Sequence, residues 1–473
     1  MYRDADTASP AQEDLSLRAT LPRTVGLSLA VNAIPDAYLL IDAPHCAFRR
    51  LSYVQGNHDF ESTLTIFPGV PRVTNTELSP LKVIKCRDDE LVGHLTALAN
   101  LPDAGVVLAD AMAMAVVTAT DYGRLCNRVA EATGRVVLPV PHRSLNSDWL
   151  TGYSDVMEAL AAGLPLEARC AGRRRKVALV GYLWDRNEGD HRANLGELHR
   201  TLEALDLELV CVWLSGQPVS ELRKVEEADW IVSLPYGRRA ARLLAERLGC
   251  GLVAAELPFG LAATLRFVHA LGAATGREEA ALRFVERELE EVLPPLKWVV
   301  PFALTHRRLG FVGDPYLFPG IRDLAHLAGC TLRFAAFTCL PAHTRASQRA
   351  ASPQAQAGPH VPEDIRALMA EGVDAAASAL VLSYPHAREL GDTLDRLGRE
   401  SALDVLVTNS FAFLTERMAV VELGFPSYHS HCLTARPFLG MRGFLVLVES
   451  IVNASRQYEV RAARRARDGS SGA

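Results

Sequence analysis

The sequence predicts an α/β protein built from three doubly wound, parallel-sheet units around a central cleft. Three observations carry that expectation. Short apolar runs end at glycine or proline, as buried parallel strands do: KVALVG at 176–181, RLGFVGDP at 308–315 and RVVLP at 135–139. Helical patterns follow several of these runs, and strands alternating with helices imply crossover connections and parallel sheets. The chain has 473 residues, too many for one ordinary core.

The middle stretch is the most regular. Residues 177–180 read as a strand that stops at Gly181. A polar loop follows at 182–191, and then a helix with Leu195, Leu198, Leu202 and Leu205 on one stripe. Residues 207–213 and 230–234 are the next strands, and 238–248 the next helix. Sheets of this type bind ligands at the carboxyl ends of their strands. The loops at 182–191, 214–220 and 235–237 therefore face the expected site.

Taken in order, residues 1–20 read as disordered. Residues 25–33 form a helix and 37–41 a strand, and DAPHC places Cys46 at the turn after it. The segment SYVQGNHDFESTLTIFPG exposes Asn57, His58 and Asp59 beside Gly56. Residues 81–84 read as a strand, 88–98 as a helix, and 105–108 and 135–138 as strands. WLTGYSD opens a helix at 149 with Ser154 as its cap. Residues 170–176, with three successive arginines, read as a linker. Helices follow at 261–271 and 277–292, the second stopped by Pro294 and Pro295. The third unit has strands at 308–312, 332–336, 379–383 and 405–407 and a helix at 316–328. Its low-complexity stretch at 341–362 reads as a mobile loop. A helix at 412–423, a strand at 426–429 and a long helix at 440–454 close it. The units are 21–170, 175–295 and 296–460, with a frayed tail at 461–473.

Composition excludes several classes. A net charge of −5 argues against a broad basic face for nucleic acid. No apolar stretch spans a membrane without interruption, and the polar, acidic first residues do not form a signal peptide, so a cytoplasmic protein is expected. None of the nine cysteines forms a CxxC pair. There is no GxxxxGK[ST] loop for ATP, and no GxGxxG after a strand for a nicotinamide cofactor.

At this point the chain resembles the nitrogenase component 1 family, which includes the molybdenum–iron protein, its assembly scaffolds and the subunits of dark-operative protochlorophyllide and chlorophyllide reductases. IDAPHC (41–46) resembles the family's strand–GPxGC turn, and VTNTEL (73–78) with residues 83–91 resembles its following segment. Residues 177–190 resemble the strand and loop of its middle domain. FVGDP (311–315) resembles the start of the third. TNS (408–410), GFP (424–426) and GMRG (440–443) resemble its closing pattern, and TARP (434–437) is nearest to the chlorophyllide reductase subunits. The implied fold is three Rossmann-like domains around a cleft.

The departures matter as much. Full metallocluster subunits carry three cysteines in the first domain, and only Cys46 matches here. None stands near Thr20, Ala113 or Leu234, and Cys86 falls where the family has glycine. A [4Fe–4S] cluster needs about four ligands. The resemblance therefore implies that Cys46 gives one thiolate to a cluster shared with a paralogous subunit, in a heterotetramer. It also implies a separate ATP-hydrolysing iron–sulfur reductase that delivers electrons, and reduction of a conjugated substrate such as a tetrapyrrole. An assembly scaffold or a cluster-free structural partner is the alternative. Candidate substrate contacts are His429, near the family's histidine ligand, and His431. Arg436 is placed to bind a carboxylate or to tie down the final helix. Asn57 and His58 are either contacts or a surface turn. Tyr236 and Gly237 open a helix whose N–H groups are free to hold an anion or are simply part of the helix start.

Overall fold

The computed structural model describes residues 18–65, 69–141, 147–167, 175–339, 379–413 and 415–470. The stretch at 341–362 lies outside them, as do Arg173 and Arg174. Three parallel sheets form the frame. The first has strands β1 (Ala37–Asp42), β2 (Val73–Asn75), β3 (Val106–Ala111) and β4 (Val137–Pro139), in the order β2-β1-β3-β4. The second has β5 (Lys176–Val180), β6 (Glu208–Val212), β7 (Trp230–Ser233) and β8 (Gly251–Ala254), in the equivalent order β6-β5-β7-β8. The third has β9 (Arg308–Gly313), β10 (Thr331–Phe337), β11 (Leu380–Ser383), β12 (Val405–Thr408) and β13 (Ala419–Glu422), in the order β11-β10-β9-β12-β13. Each order reverses direction beside its first strand. Each sheet therefore has a switch point where the loops diverge and leave a crevice.

The strands are apolar because helices cover them. All six residues of β1 and of β3 are buried. One continuous apolar core runs through the three units, from Leu21 to Ile451. Helix Trp149–Gly163 joins the first two, packing on helix Arg23–Asn32 on one side and helix Arg238–Leu248 on the other. The final helix, Gly440–Ser470, lies against β13 and against helices Gly189–Ala204 and Leu261–Thr275. Among the described residues no helix is long and apolar enough to cross a membrane.

Several local expectations are corrected. The strand expected at 81–84 is part of a short helix, Pro80–Val83, started by its proline. The helix expected at 412–423 is instead a loop leading into β13, where Ala419 and Val421 face the core and pair alongside β12. The strand at 426–429 is irregular, its amides bonding to side chains rather than to a ladder: those of Tyr428 and His429 donate to Glu422. Ser154 lies inside its helix, which Asp148 caps by accepting from the Thr151 amide. Pro294 and Pro295 do not stop their helix, which continues to Val299. The carbonyls that the two missing N–H groups leave free belong to Glu290 and Glu291, both exposed and so solvated. The tail is helical through Ser470. At the other end, Ala19 is buried, with its amide bonded to the Pro385 carbonyl.

Candidate functional site

The second and third sheets turn the carboxyl ends of their strands toward one cavity of about 450 Å³. Its walls include the loop at 182–186 after β5 and the start of the next helix, the loop carrying His58 from the first unit, the segments after β7, β8 and β9, residues in 420–438 and one face of the final helix.

The loop after β5 is shaped by Gly181, whose φ of +97° admits few other residues. A Cβ there would lie 2.4 Å from the Leu234 carbonyl oxygen and 2.6 Å from the Gly237 nitrogen. This close approach of two glycines lets the chain leave β5 directly into the cavity wall. Tyr182, Asp185, Arg186 and, at the next helix start, Asp190 and His191 follow.

Asp185 is the centre of the polar wall. Burial alone would raise its pKa, but the ion pair with His191 Nε2 and the nearby His58, whose Nε2 lies 3.6 Å from Asp185 Oδ2, hold it well below the usual carboxylate range. Burial pulls His191 down, yet Asp185 and Asp190 more than offset this and its pKa is raised. The second nitrogen of His191 is 2.7 Å from the Tyr182 hydroxyl, which accepts from Asn194 at 3.0 Å. Beside it, Arg186 makes a forked pair with Asp190 and donates to the Ser430 carbonyl at 2.8 Å. Glu188 receives the Cys432 amide at 2.7 Å and lies 2.7 Å from His431 Nδ1. Phe60 stacks on the His431 ring at 3.8 Å. Asp59 locks the first unit to this loop, accepting from Asn32 at 2.7 Å and from the Asn187 amide and side chain at 3.1 and 2.8 Å.

On the side of the third sheet, Asp314 follows β9 and accepts from the Tyr236 hydroxyl at 2.5 Å and the Tyr316 amide at 2.7 Å. Burial pushes its pKa up to about 6 despite these donors. Glu422 at the end of β13 behaves oppositely. Burial would raise it, but Ser410, His429 and the amides of Tyr428 and His429 keep it low. Apolar side chains, among them Leu257, Leu317, Phe425, Phe438 and Leu447, line the rest. The arrangement offers an apolar slot, a carboxyl whose pKa burial raises to about 6, and histidines held by carboxylates.

Of the residues singled out from the sequence, His58, His431, Arg436 and Tyr236 line this cavity. Arg436 also pairs with Glu449 of the final helix at 3.0 Å. Tyr236 contributes its hydroxyl, not an anion-binding helix start. The Tyr236 and Gly237 amides are taken by the Gly181 and Leu234 carbonyls, and Met157 and Gly181 fill the space beside Gly237. Asn57 is an exposed turn residue that donates to the Ser52 carbonyl at 2.6 Å. His429 stacks on Phe413 at 4.4 Å, outside the cavity lining. Cys46 is exposed at the carboxyl edge of the first sheet, beginning the short helix Cys46–Arg49. Asp185, Glu188, His191, Asp314 and Glu422 were not foreseen as site residues. The only signals were that Asp185, Glu188 and His191 lie in the loop at 182–191 and that Asp314 follows a strand; Glu422 had none, since its segment read as a helix.

Two solved structures match over nearly the whole chain. One, "Nitrogenase Cp1 at pH 6.5", has a TM-score of 0.74 at 15% identity, covering 98% of this chain and 96% of that one. The other, "Nitrogenase Cp1 at pH 5", has a TM-score of 0.66 at 13% identity, covering 94% and 90%. At these identities they show the fold. No curated protein matches the sequence. The family profile for nitrogenase component 1 type oxidoreductases matches residues 23–456. The chain therefore belongs to the nitrogenase component 1 type oxidoreductase family, whose members typically bind iron–sulfur clusters and form complexes with paralogous subunits and an iron protein.

Proposed function

We propose that this chain is a cytoplasmic subunit of a nitrogenase-like, iron–sulfur-dependent oxidoreductase. It pairs with a paralogous subunit, receives electrons from an ATP-hydrolysing iron–sulfur reductase, and reduces a conjugated compound of the tetrapyrrole type. The observation that carries the reading is the setting of Cys46. Its thiol is exposed at the carboxyl edge of the first sheet, and Leu81, Ile84 and Val117, also exposed, follow the neighbouring strands at that same edge. An exposed thiolate at an edge that also exposes apolar side chains, with Cys86 a second exposed thiol two residues after Ile84, suits a cluster completed by another chain.

The donor set agrees with sharing. Among the described residues no group of three or more His, Cys, Asp or Glu side chains is arranged to hold a metal ion. The described residues alone therefore do not fit a whole cluster, whereas Cys46 fits one ligand position of a cluster lying across a subunit boundary. When bound there, such a cluster supplies single electrons. The cavity's own residues would bind and orient the substrate: the apolar wall takes a planar hydrophobic body, and Arg436 at the mouth takes a carboxylate.

The test is anaerobic co-purification with the paralogous subunit, followed by iron and sulfide counts. Turnover is then assayed with the reductase component, ATP, and protochlorophyllide and chlorophyllide as trial substrates. Wild type should carry a [4Fe–4S] cluster, and Cys46→Ala should lose most of the iron while the subunits stay paired. Full iron in the variant would remove the ligand assignment. Iron without turnover would mark an assembly scaffold, and no iron in the wild-type complex a structural partner.

A further inference from the structure

A second cavity, of about 340 Å³, lies at the seam between the second and third units. It shares Leu257 with the larger cavity and is otherwise lined by different residues. The first turns of three helices contribute to its wall. Arg238 opens helix Arg238–Leu248, Ala263 lies in the first turn of Leu261–Thr275, and Pro319 and Gly320 lie in that of Phe318–Leu327. The last two helices meet closely through glycines. A Cβ on Gly260 would lie 2.8 Å from Gly320 Cα, and one on Gly320 would lie 2.4 Å from the Phe259 carbonyl oxygen. None of the three helices has a side-chain cap or an acidic residue in its first turn, so the partial positive charge at each start is left uncompensated.

Three charged side chains line the cavity, and two of them are already neutralised. Arg266 forks Glu256 through Nε and Nη2, at 3.0 and 2.9 Å. Arg322 pairs with Asp323 at 3.0 Å. Arg238 differs. Its Nη1 donates to the Ser233 carbonyl and its Nη2 to the Ala255 carbonyl at 2.7 Å, and among the described residues no carboxylate pairs with it. Its Nε–H has no partner there either, and the atom is not sealed from solvent. Elsewhere in the chain the Nε–Nη2 edge of arginine grips a carboxylate: Arg186 holds Asp190 this way, and Arg308 holds Asp404. Burial pulls the Arg238 pKa below the usual arginine value, with Tyr316 and Glu256 offsetting only part of that cost.

We propose that this cavity binds a small organic monocarboxylate, its carboxylate forked by Arg238 and its apolar body set against Phe259 and Tyr316. One uncompensated positive charge selects one negative charge. A phosphate dianion would bring a second negative charge beside the exposed carboxylate of Glu256. The flat edge of the guanidinium matches the flat carboxylate, with two parallel N–H···O bonds. The site needs neither a cluster nor a partner subunit, so it stands apart from the reductase reading.

The test uses the full chain and two compounds of nearly equal shape, benzoate and the uncharged benzamide, in calorimetric titrations. Benzoate should saturate a single site and bind roughly ten-fold or more tightly than benzamide, the weight of a charge-assisted hydrogen bond. Arg238→Gln should weaken benzoate by a similar factor. Arg238→Lys keeps the cation and loses the fork, so it should weaken benzoate several-fold even if the glutamine variant does not fold. Inorganic phosphate should displace benzoate poorly. Equal affinity for benzoate and benzamide, undiminished benzoate binding in Arg238→Lys, or full displacement by phosphate at equal concentration would each overturn the proposal. So would loss of benzoate binding in Arg436→Gln, which leaves Arg238 intact, because the anion would then sit in the larger cavity.

Discussion

Asp314 and Asp185 are both buried carboxyls facing one cavity, and their neighbours drive them in opposite directions. Asp185 has two histidines beside it and stays ionised. Asp314 has a phenol and an amide, neither of which carries positive charge, so burial dominates and its pKa rises to about 6. The consequence for stability has a definite sign. The folded state holds the Asp314 proton more tightly than the unfolded state, whose value is near 3.8. Stability therefore falls as pH rises from about 4 to 6, and the loss persists above that. A neutral isostere removes it. Asp314→Asn should match wild type near pH 3.5 and exceed it above pH 6 by up to about 3 kcal/mol. Urea unfolding at a series of pH values reads this directly, and equal midpoints at pH 8 would show that Asp314 pays no burial cost. The sequence marked His58 and His431 as polar side chains on loops, and both reach the cavity. It gave no reason to choose Asp185 or Asp314, because what distinguishes them from surface aspartates is burial and partners distant in sequence, Tyr236 for Asp314 and His58 for Asp185.

At the scale of elements, the strand–helix alternation was legible where an apolar run ended in glycine or proline, and β5, β7 and β9 lie where it placed them. The same reading failed at β13. AVVE is short and flanked by helix-forming residues, and its identity as a strand comes from pairing with β12. Tertiary context overrides propensity there. Glycine also marks the joint between elements. Gly181 allows the exit of β5 to touch the start of the helix after β7, and this contact aims the loop at 182–188 into the cavity. Gly181→Ala places a methyl group against two backbone atoms at a positive φ, and neither can swing aside as a side chain would. A loss of about 3 kcal/mol or more is expected, with a lower thermal midpoint and reduced soluble yield. Gly196, which has open space around its Cβ position on an exposed helix face, is the control: Gly196→Ala should be neutral or slightly stabilising.

For the whole molecule, the three units differ in what they leave uncovered. The second and third close on each other around the cavity, and the His58 loop of the first seals one wall. The carboxyl edge of the first sheet is left open. Leu81 and Ile84, after β2, are 73% and 80% exposed, and Val117, after β3, is 71% exposed, all at the edge that carries Cys46. Scattered exposed leucines need no explanation, but three exposed apolar side chains on the edge that carries the exposed Cys46 and Cys86 thiols do. If this edge receives the paralogous subunit, charges placed on it should prevent assembly without harming the fold. Leu81→Glu with Ile84→Glu should leave the chain's own unfolding free energy within about 0.5 kcal/mol of wild type, because neither side chain contributes to the core. Two anchor positions at about 2 kcal/mol each would weaken pairing roughly a thousand-fold. The paralogue should then fail to co-elute, and the iron count should fall with it even though Cys46 is intact. Cys46→Ala should instead lose iron while keeping the partner. Co-elution of the double variant in full would mean that the partner docks elsewhere, and the shared-cluster reading would lose its geometric basis.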